Sequence, residues 1–382
     1  MKILFTITYY TPYVSGLTIH AMRLAKELEK RGYSVEILTS QHDKKLPIVE
    51  TDKSISIKRV PYMLRLSKGF FMPTYIFHAY KEIKKADVVV SHLPQFESFL
   101  VALIAKMLKK RFYCIYHCDI ILPHSNFNYV IEKLIYIANC ISLTLSGKIV
   151  TYTEDFAKHS KLLLRFQKKI IFIYPPIPIP KINYNIKKKI QNMLPKKKYY
   201  IGVAGRIAAE KGIEYLLETI PLLKKEFGNN FVILFAGPKH PVGEEKYWRK
   251  ISPLLKKYNE YIVFLRTFKF EEIGAFYSFL DVLVLPSINA TEAFGMVQVE
   301  AMLCGTPVVA SSLPGVRVPI QETKMGLLVP KEDSKKLAQA IVEVLKNRKK
   351  YIKDKKNVEN VFSFDKTISE YEKIFQAAYN VK

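Results

Sequence analysis

A chain of 382 residues exceeds what one hydrophobic core ordinarily serves, which points to two domains. Hydrophobic residues make up 49% of it and no run of about 20 uncharged apolar residues occurs, so a soluble globular protein is expected and a spanning helix is not. The net charge of +26 comes mostly from lysine scattered over the whole length. Its plain reading is a solvated, Lys-rich surface, with attraction to an anionic membrane second; nucleic acid comes last because no nucleic-acid-binding motif accompanies the charge.

The chain opens on an apolar strand, Lys2 to Thr8, with no cleavage site after it to suggest a signal peptide. A loop ending in Ser15-Gly16 follows, then a helical stripe of Ile19, Met22, Leu24, Ala25 and Leu28 closed by Gly32, then a strand over Val35 to Thr39. This is a βαβ unit and implies a parallel sheet. One glycine at the helix entry does not make a dinucleotide fingerprint, but Gly16 either lets backbone N–H groups approach an anion or is a plain turn residue. Residues 55 to 60 alternate as a strand. The segment 61 to 73 mixes basic, aromatic and aliphatic residues and reads first as a loop packing its aromatics inward, second as a surface for a membrane or a lipid-bearing substrate.

A helix ending near Lys85, a strand over Val88 to Ser91, a helix over Phe99 to Leu108 and a strand over Phe112 to Tyr116 continue the alternation. His117-Cys118-Asp119 falls just past that last strand. With Cys114 and His124 its spacing matches no usual zinc pattern, so no metal is expected. His117 at a strand end is suited to a sugar hydroxyl or phosphate, against the plain alternative of a satisfied buried histidine. Helix is expected over 130–145 and 155–166, strand over 148–151 and 170–173. The prolines of Tyr174 to Pro180 then stop regular structure, and the basic stretch Lys181 to Lys198 reads as the interdomain linker. Four irregularly spaced cysteines argue for a reducing compartment and against a disulfide framework.

A second α/β domain begins with the strand Tyr199 to Ala204. Gly205, Arg206 and Lys211, then a helix over 213–227, supply a planar fork, a point charge and a helix dipole to an anion. Strands follow at 231–236, 262–265 and 282–285, with helices over 242–258 and 270–280 between them. The last strand runs into a polar loop with Glu292, then a helix with Met296, Val299, Glu300 and Leu303 at helical spacing, ended by Gly305 before the apolar run Pro307 to Ala310. A strand is expected at 326–329, a helix capped by Ser334, and a last helix entered through Ser363-Phe364-Asp365. Loops at the carboxyl ends of strands are where open α/β sheets bind ligands. A cleft between two such domains would set Gly16 and His117 opposite Arg206, Lys211, Glu292 and Glu300, a set suited to a nucleoside diphosphate carrying a sugar. Cations neutralise the diphosphate leaving group, Glu300 accepts ribose hydroxyls, Glu292 accepts hydroxyls of the transferred sugar, and the helix start at Phe294, Gly295, Met296 and Val297 offers its first N–H groups to the donor.

The run Thr291 to Ala310 resembles the signature of glycosyltransferase family 4, the group 1 glycosyl transferases, with its two glutamates eight residues apart. The resemblance extends to Gly205-Arg206 with Glu210-Lys211-Gly212, to Tyr174-Pro175-Pro176-Ile177, to His117 and to the Ser363-Phe364-Asp365 entry of the last helix, and so covers nearly the whole chain. It implies the GT-B fold, α/β with two Rossmann-like doubly wound domains: residues 1–180 for the acceptor, 181–360 for the nucleotide sugar, and 361–382 packing back on the first. It implies retaining sugar transfer, with Arg206 and Lys211 on the donor diphosphate, Glu292 on the donor sugar and Glu300 on the ribose. Ser15-Gly16 stands where the family often has a glycine pair, Cys118 separates His117 from Asp119, and Phe364 replaces a frequent tryptophan.

The expected function is therefore transfer of a sugar from a nucleotide-sugar donor to a glycan, lipid or small-molecule acceptor, without cofactor or metal, in the cytoplasm or at the inner face of its membrane. No enzymic nucleophile is evident, so front-face attack with the departing phosphate as base is the expected route. A sugar-nucleotide epimerase, a phosphorylase of the same architecture and a non-catalytic membrane- or nucleic-acid-binding module are the rival readings.

Overall fold

The computed structural model describes residues 1–66, 69–122, 125–239 and 243–377, so His124 of the sequence reading and part of the segment 61 to 73 lie outside the described residues. The chain divides into two compact units, Met1–Pro176 with Asp365–Lys382, and Ile177–Phe364.

The first unit runs β1 (Lys2–Ile7), α1 (Gly16–Lys30), β2 (Ser34–Ser40), β3 (Val49–Asp52), β4 (Ile55–Val60), β5 (Leu64–Leu66), β6 (Gly69–Phe71), α2 (Tyr75–Lys85), β7 (Val88–Leu93), α3 (Ser98–Met107), β8 (Arg111–Tyr116), α4 (Asn126–Leu145), β9 (Lys148–Thr151), α5 (Glu154–His159) and β10 (Ile170–Phe172). Its sheet has the order β10-β9-β8-β7-β1-β2-β4-β3. Every pairing is parallel except the edge hairpin β3–β4, and β5–β6 forms a separate antiparallel hairpin. Strand order reverses at β1, between β2 and β7, so the loops after β1 and β7 open at a topological switch point.

The second unit runs α6 (Tyr184–Met193), β11 (Tyr199–Ala204), α7 (Ile213–Leu217), α8 (Ile220–Phe227), β12 (Phe231–Ala236), α9 (Glu245–Lys257), β13 (Ile262–Leu265), α10 (Phe270–Tyr277), β14 (Val282–Leu285), α11 (Met296–Leu303), β15 (Val308–Ser311), α12 (Val318–Thr323), β16 (Gly326–Val329), α13 (Ser334–Lys346), α14 (Arg348–Tyr351) and α15 (Lys355–Val361). The sheet is wholly parallel with the order β13-β12-β11-β14-β15-β16, the doubly wound arrangement of a dinucleotide-binding fold. Strands buried on both faces read as continuous apolar runs, and Ile201, Ile233, Leu234, Val282, Leu283, Val308 and Val309 are all fully buried.

The last helix, α16 (Phe364–Ala377), belongs to the first unit from Asp365 onward. Tyr371 and Phe375 are buried there, and Arg31, the residue that caps the end of α1, donates to Glu372 at 2.5 Å.

Several boundaries correct the sequence reading. Residues 181–198 are not a linker: α6 lies inside them, Lys187 Nζ donates to the Ser278 carbonyl at 2.9 Å, and Gly274 of α10 lies so close to Lys181 that a Cβ would meet its carbonyl oxygen at 2.4 Å. The expected helix 155–166 ends at Ser160, whose backbone is extended and whose hydroxyl donates to Asp119 at 2.7 Å; residues Leu163–Lys169 then turn more tightly. The helix over 213–227 breaks into α7 and α8 because Pro221 has no N–H and its ring obstructs the preceding turn. Asp333, not Ser334, caps α13, accepting from the Lys336 N–H at 2.8 Å.

Candidate functional site

In the second unit the switch point lies between β11 and β14, and both of the loops singled out by sequence open there. Gly205 leaves β11 at φ +133, a backbone region that favours glycine, and a Cβ on neighbouring Gly237 would come within 2.2 Å of the Gly205 carbonyl oxygen. The two strand ends therefore pack backbone to backbone. Gly212 does the same between loops. It has φ +58, and a Cβ there would meet the Pro286 carbonyl oxygen at 2.4 Å. The Ile288 N–H donates to the Glu210 carbonyl at 3.0 Å, tying the loop after β14 to the loop after β11.

This close approach brings Lys211 Nζ onto Glu292 Oε2, to which the Ser287 hydroxyl also donates at 3.4 Å. Arg206 Nη2 pairs with Glu210 Oε1 at 2.9 Å. Both cations expected to face an anion thus carry a carboxylate partner. Glu210 had no assigned role in the sequence reading, although its place four residues after Arg206 is a pairing signal.

Glu300 lies in the second turn of α11, is only 5% exposed, and accepts from the Tyr277 hydroxyl at 2.7 Å. Tyr277 is itself fixed, because the Thr306 hydroxyl donates to its carbonyl at 2.6 Å. The helix start is built by Gly295, at φ +77, where a Cβ would meet the Leu285 side chain at 2.5 Å. Gln298, fully buried, donates from its amide to the carbonyls of Phe294 and Val316 and so fixes the turn. The first N–H groups, at Met296 and Val297, have no intrahelical acceptor by the geometry of a helix start, and both residues are half-buried. Phe294 differs from expectation in its side chain, which is 1% exposed and meets Phe362 edge-to-face at 5.8 Å, so that residue offers a ligand its backbone alone.

In the first unit Ser15 caps α1, its hydroxyl accepting from the Thr18 N–H at 3.1 Å, and Gly16 is the exposed first residue of the helix. His117 does sit just past β8, but it is 3% exposed and both ring nitrogens are engaged: Nε2 with His92 Nδ1 at 2.9 Å, and Nδ1 with the Tyr152 hydroxyl. Tyr152 also reaches His20 Nδ1 at 3.4 Å, and His20 Nε2 meets the Tyr371 hydroxyl at 3.2 Å. His117, expected at a ligand, lies here in a buried network joining β7, the end of β8, α1 and α16. Burial lowers the pKa of all three histidines, that of His92 to about 3, and their mutual repulsion lowers His20 and His117 further. All three are neutral near pH 7. Asp119, left without a role by sequence, accepts from the Tyr116 and Ser160 hydroxyls, each at 2.7 Å.

Residues 185–361 match the sequence profile described as glycosyl transferases group 1, and residues 14–179 match that of glycosyltransferase family 4. An uncharacterised glycosyltransferase of Methanocaldococcus jannaschii is 26% identical across 98% of both chains. Among solved structures, the sucrose-phosphate synthase of Thermosynechococcus elongatus superposes with a TM-score of 0.80 at 19% identity, covering all of both chains. The Anabaena protein HepE, solved with UDP-glucose, superposes with a TM-score of 0.75 at 16% identity, covering 99% of this chain and all of that one.

Proposed function

The chain belongs to glycosyltransferase family 4, is a glycosyltransferase with the GT-B fold, and on that premise we propose that it transfers a sugar, with retention of anomeric configuration, from a nucleotide-sugar donor to a glycan, lipid or small-molecule acceptor. The observation that carries this reading is the convergence of Arg206, Lys211, Glu292 and the start of α11 at one switch point. Cations with a helix N-terminus suit a diphosphate, and the buried Glu300 in the second turn of that helix suits paired ribose hydroxyls.

In this mechanism Arg206 and Lys211 bind the diphosphate and stabilise the charge it gains as the glycosidic bond breaks, with the N–H groups of Met296 and Val297 adding to them. Glu292 accepts hydroxyls of the transferred sugar, which also holds Lys211 in place. Glu300, positioned by the Tyr277 hydroxyl, accepts the ribose hydroxyls. The acceptor hydroxyl attacks from the face the diphosphate is leaving, and its proton passes to a departing phosphate oxygen. Gly16, the exposed first residue of α1, leaves the start of that helix open to an anion. The engaged nitrogens of His117 suit it to positioning the end of β8 rather than to proton transfer. The four cysteines are free thiols, consistent with residence in the reducing cytoplasm.

A thermal-shift screen against UDP-, GDP- and ADP-sugars tests the reading. The true donor, at 100 times its dissociation constant, stabilises the protein by about 2.7 kcal/mol. Nuclear magnetic resonance of the product anomer then decides retention. Absence of a shift with every nucleotide sugar would overturn the proposal.

A further inference from the structure

Helix α4 is built inside out for a protein surrounded only by water. Toward the protein it buries Ala138, Asn139, Ser142 and Leu143, three of them small or polar. The Ser142 and Ser98 hydroxyls bond at 2.7 Å and Asn139 accepts from the Gln95 N–H at 3.4 Å, tying α4 to the start of α3. Toward solvent it turns its large apolar side chains: Phe127 is 57% exposed, Val130 55%, Leu134 49% and Ile137 54%. Their spacing of three, four and three residues makes one continuous stripe along the helix. A surface helix normally presents the opposite pattern, apolar inward and polar outward.

The neighbouring helices continue this face. Helix α3 packs against α4 and against α2. It exposes Leu103 and Met107, while α2 exposes Ile76, Phe77 and Tyr80. The charges around these side chains have one sign. Lys81, Lys84 and Lys85 on α2, Lys106 on α3 and Lys133 on α4 are all exposed. The only acids on the three helices are Glu82, buried and paired with Lys58 and Lys85, and Glu132, which is half-buried and accepts from the Leu122 N–H. Beyond the end of α3, Lys106, Lys109, Lys110 and Arg111 line a surface cavity of about 380 Å³ with Tyr113.

We propose that the α2–α3–α4 face docks on an anionic lipid bilayer, with the α4 stripe lying in the interface and the lysines and the basic cavity on phospholipid headgroups. Large apolar side chains interspersed with cations and lacking exposed acids are the chemistry of an interfacial helix layer. Helix α4, about 30 Å long by its rise per residue, has the length to lie along the surface. No helix of the described residues is long and apolar enough to cross the membrane. A water-soluble protein partner is the poorer match, since it would have to meet a broad cationic surface and a stripe of aliphatics together. The inference stands apart from sugar transfer, since bilayer binding is measured without donor or acceptor.

The test is co-sedimentation of the full chain with vesicles of phosphatidylcholine alone and with phosphatidylglycerol added, at low and high salt. The wild type is expected to bind the anionic vesicles at least tenfold more tightly than the neutral ones, and to be released by salt. The variant Val130→Glu with Leu134→Glu, whose side chains are exposed, is expected to lose at least tenfold in binding with an unchanged thermal melt. The variant Lys106→Glu with Lys110→Glu is expected to lose the preference for anionic vesicles. Failure of the wild type to bind either vesicle overturns the proposal, as does undiminished binding by both variants. If the glutamate pair in α4 fails to fold, the lysine variant and the salt series decide. Sedimentation velocity without vesicles covers the other occupant: if the wild type is a dimer that the α4 variant turns into a monomer, with vesicle binding intact, the face belongs to a second copy of the chain.

Discussion

Lys211 Nζ and Glu292 Oε2 form an ion pair between residues 81 positions apart, from the two loops that flank the switch point of the second sheet. Both side chains are mostly buried, so neither charge is fully screened by water. Pairing holds the cation extended before a diphosphate arrives, which lowers the ordering cost of binding. Replacing Glu292 by Gln keeps the shape but removes the charge and its hold on Lys211. Donor turnover is expected to fall by about 10²-fold or more, the scale seen when one charge-stabilising group is removed from an active site. Steady-state kinetics with the donor found in the screen provide the measurement. Full activity of Glu292→Gln would remove this residue from the site.

Glu300 answers to a different ligand group. Its Oε2 accepts from the Tyr277 hydroxyl, and the carboxylate is assigned to the ribose hydroxyls. Glu300→Gln is therefore expected to weaken free nucleoside diphosphate and donor alike, by about 10-fold or more for the loss of charge-assisted hydrogen bonds. Glu292→Gln is expected to weaken the donor more than the free diphosphate, because it loses the sugar contact in addition to the hold on Lys211. Tyr277→Phe is expected to resemble Glu300→Gln in direction but to be milder, because the carboxylate remains. Calorimetric titration with UDP, GDP and ADP beside the sugar nucleotide separates the cases; equal losses in both glutamate variants for the free diphosphate would contradict the division of roles.

The reach of the sequence reading differs between backbone and side chains. Strands Phe231–Ala236 and Val282–Leu285 coincide with their apolar runs, because a parallel strand buried on both faces leaves an unbroken hydrophobic signature, and Ile55–Val60 was legible from its alternation. The edge strand Val49–Asp52 carries mostly exposed side chains and leaves no such signature. Helix α6 was hidden in a lysine-rich stretch where only Ile190 is buried. Arg206, Lys211, Glu292 and Glu300 were singled out through their spacing around glycines and strand ends, and the structure places them on the loops and helix that follow β11 and β14. Tyr277 was not, since it meets Glu300 through the packing of α10 against α11, which no local pattern encodes. A buried His117 was one of the two sequence readings, but its partners were hidden, because His92 and Tyr152 lie at other strand ends, 25 and 35 residues away.

Gly212 links loop geometry to chemistry. Its positive φ and its contact with the Pro286 carbonyl both exclude a side chain without rearrangement. Gly212→Ala is expected to cost more than about 1 kcal/mol from backbone strain alone, and to push the Lys211 loop away from Glu292. Activity should therefore fall more than the melting temperature would explain. Gly228→Ala, also at positive φ but at ψ −133 and with open space around it, supplies the control: a backbone strain at least as large, with activity kept. Loss of activity in both variants to the same degree would mean that strain, not the contact with Pro286, sets the effect.

The histidine network makes stability depend on pH in a predictable direction. His20, His92 and His117 have folded pKa values below the ordinary 6.5, chiefly because burial disfavours their charged forms. The unfolded chain therefore binds more protons than the native one below pH 6.5, and stability is lost as pH falls from there toward about 3, where His92 titrates in the fold. Glu97 acts in the opposite sense. Burial raises its pKa to about 7, so its contribution is complete below 4.5 and is lost as pH rises through about 7. Between pH 6.5 and 4.5 these three histidines, joined by His42, whose pKa burial also lowers, oppose one glutamate, and the protein is expected to lose stability on acidification, each histidine adding at most about 1.4 kcal/mol per pH unit. This window lies above the ordinary carboxylate range, where other acids would add their own effect. Thermal melts of the first unit's tyrosine signal at pH 7.5, 6.5, 5.5 and 4.5 provide the measurement. His92→Asn should flatten the slope, since it removes one proton acceptor from the unfolded state and one source of repulsion on His117 from the folded one. A melting temperature that stays level or rises between pH 6.5 and 4.5 would show that the three rings are not held neutral together.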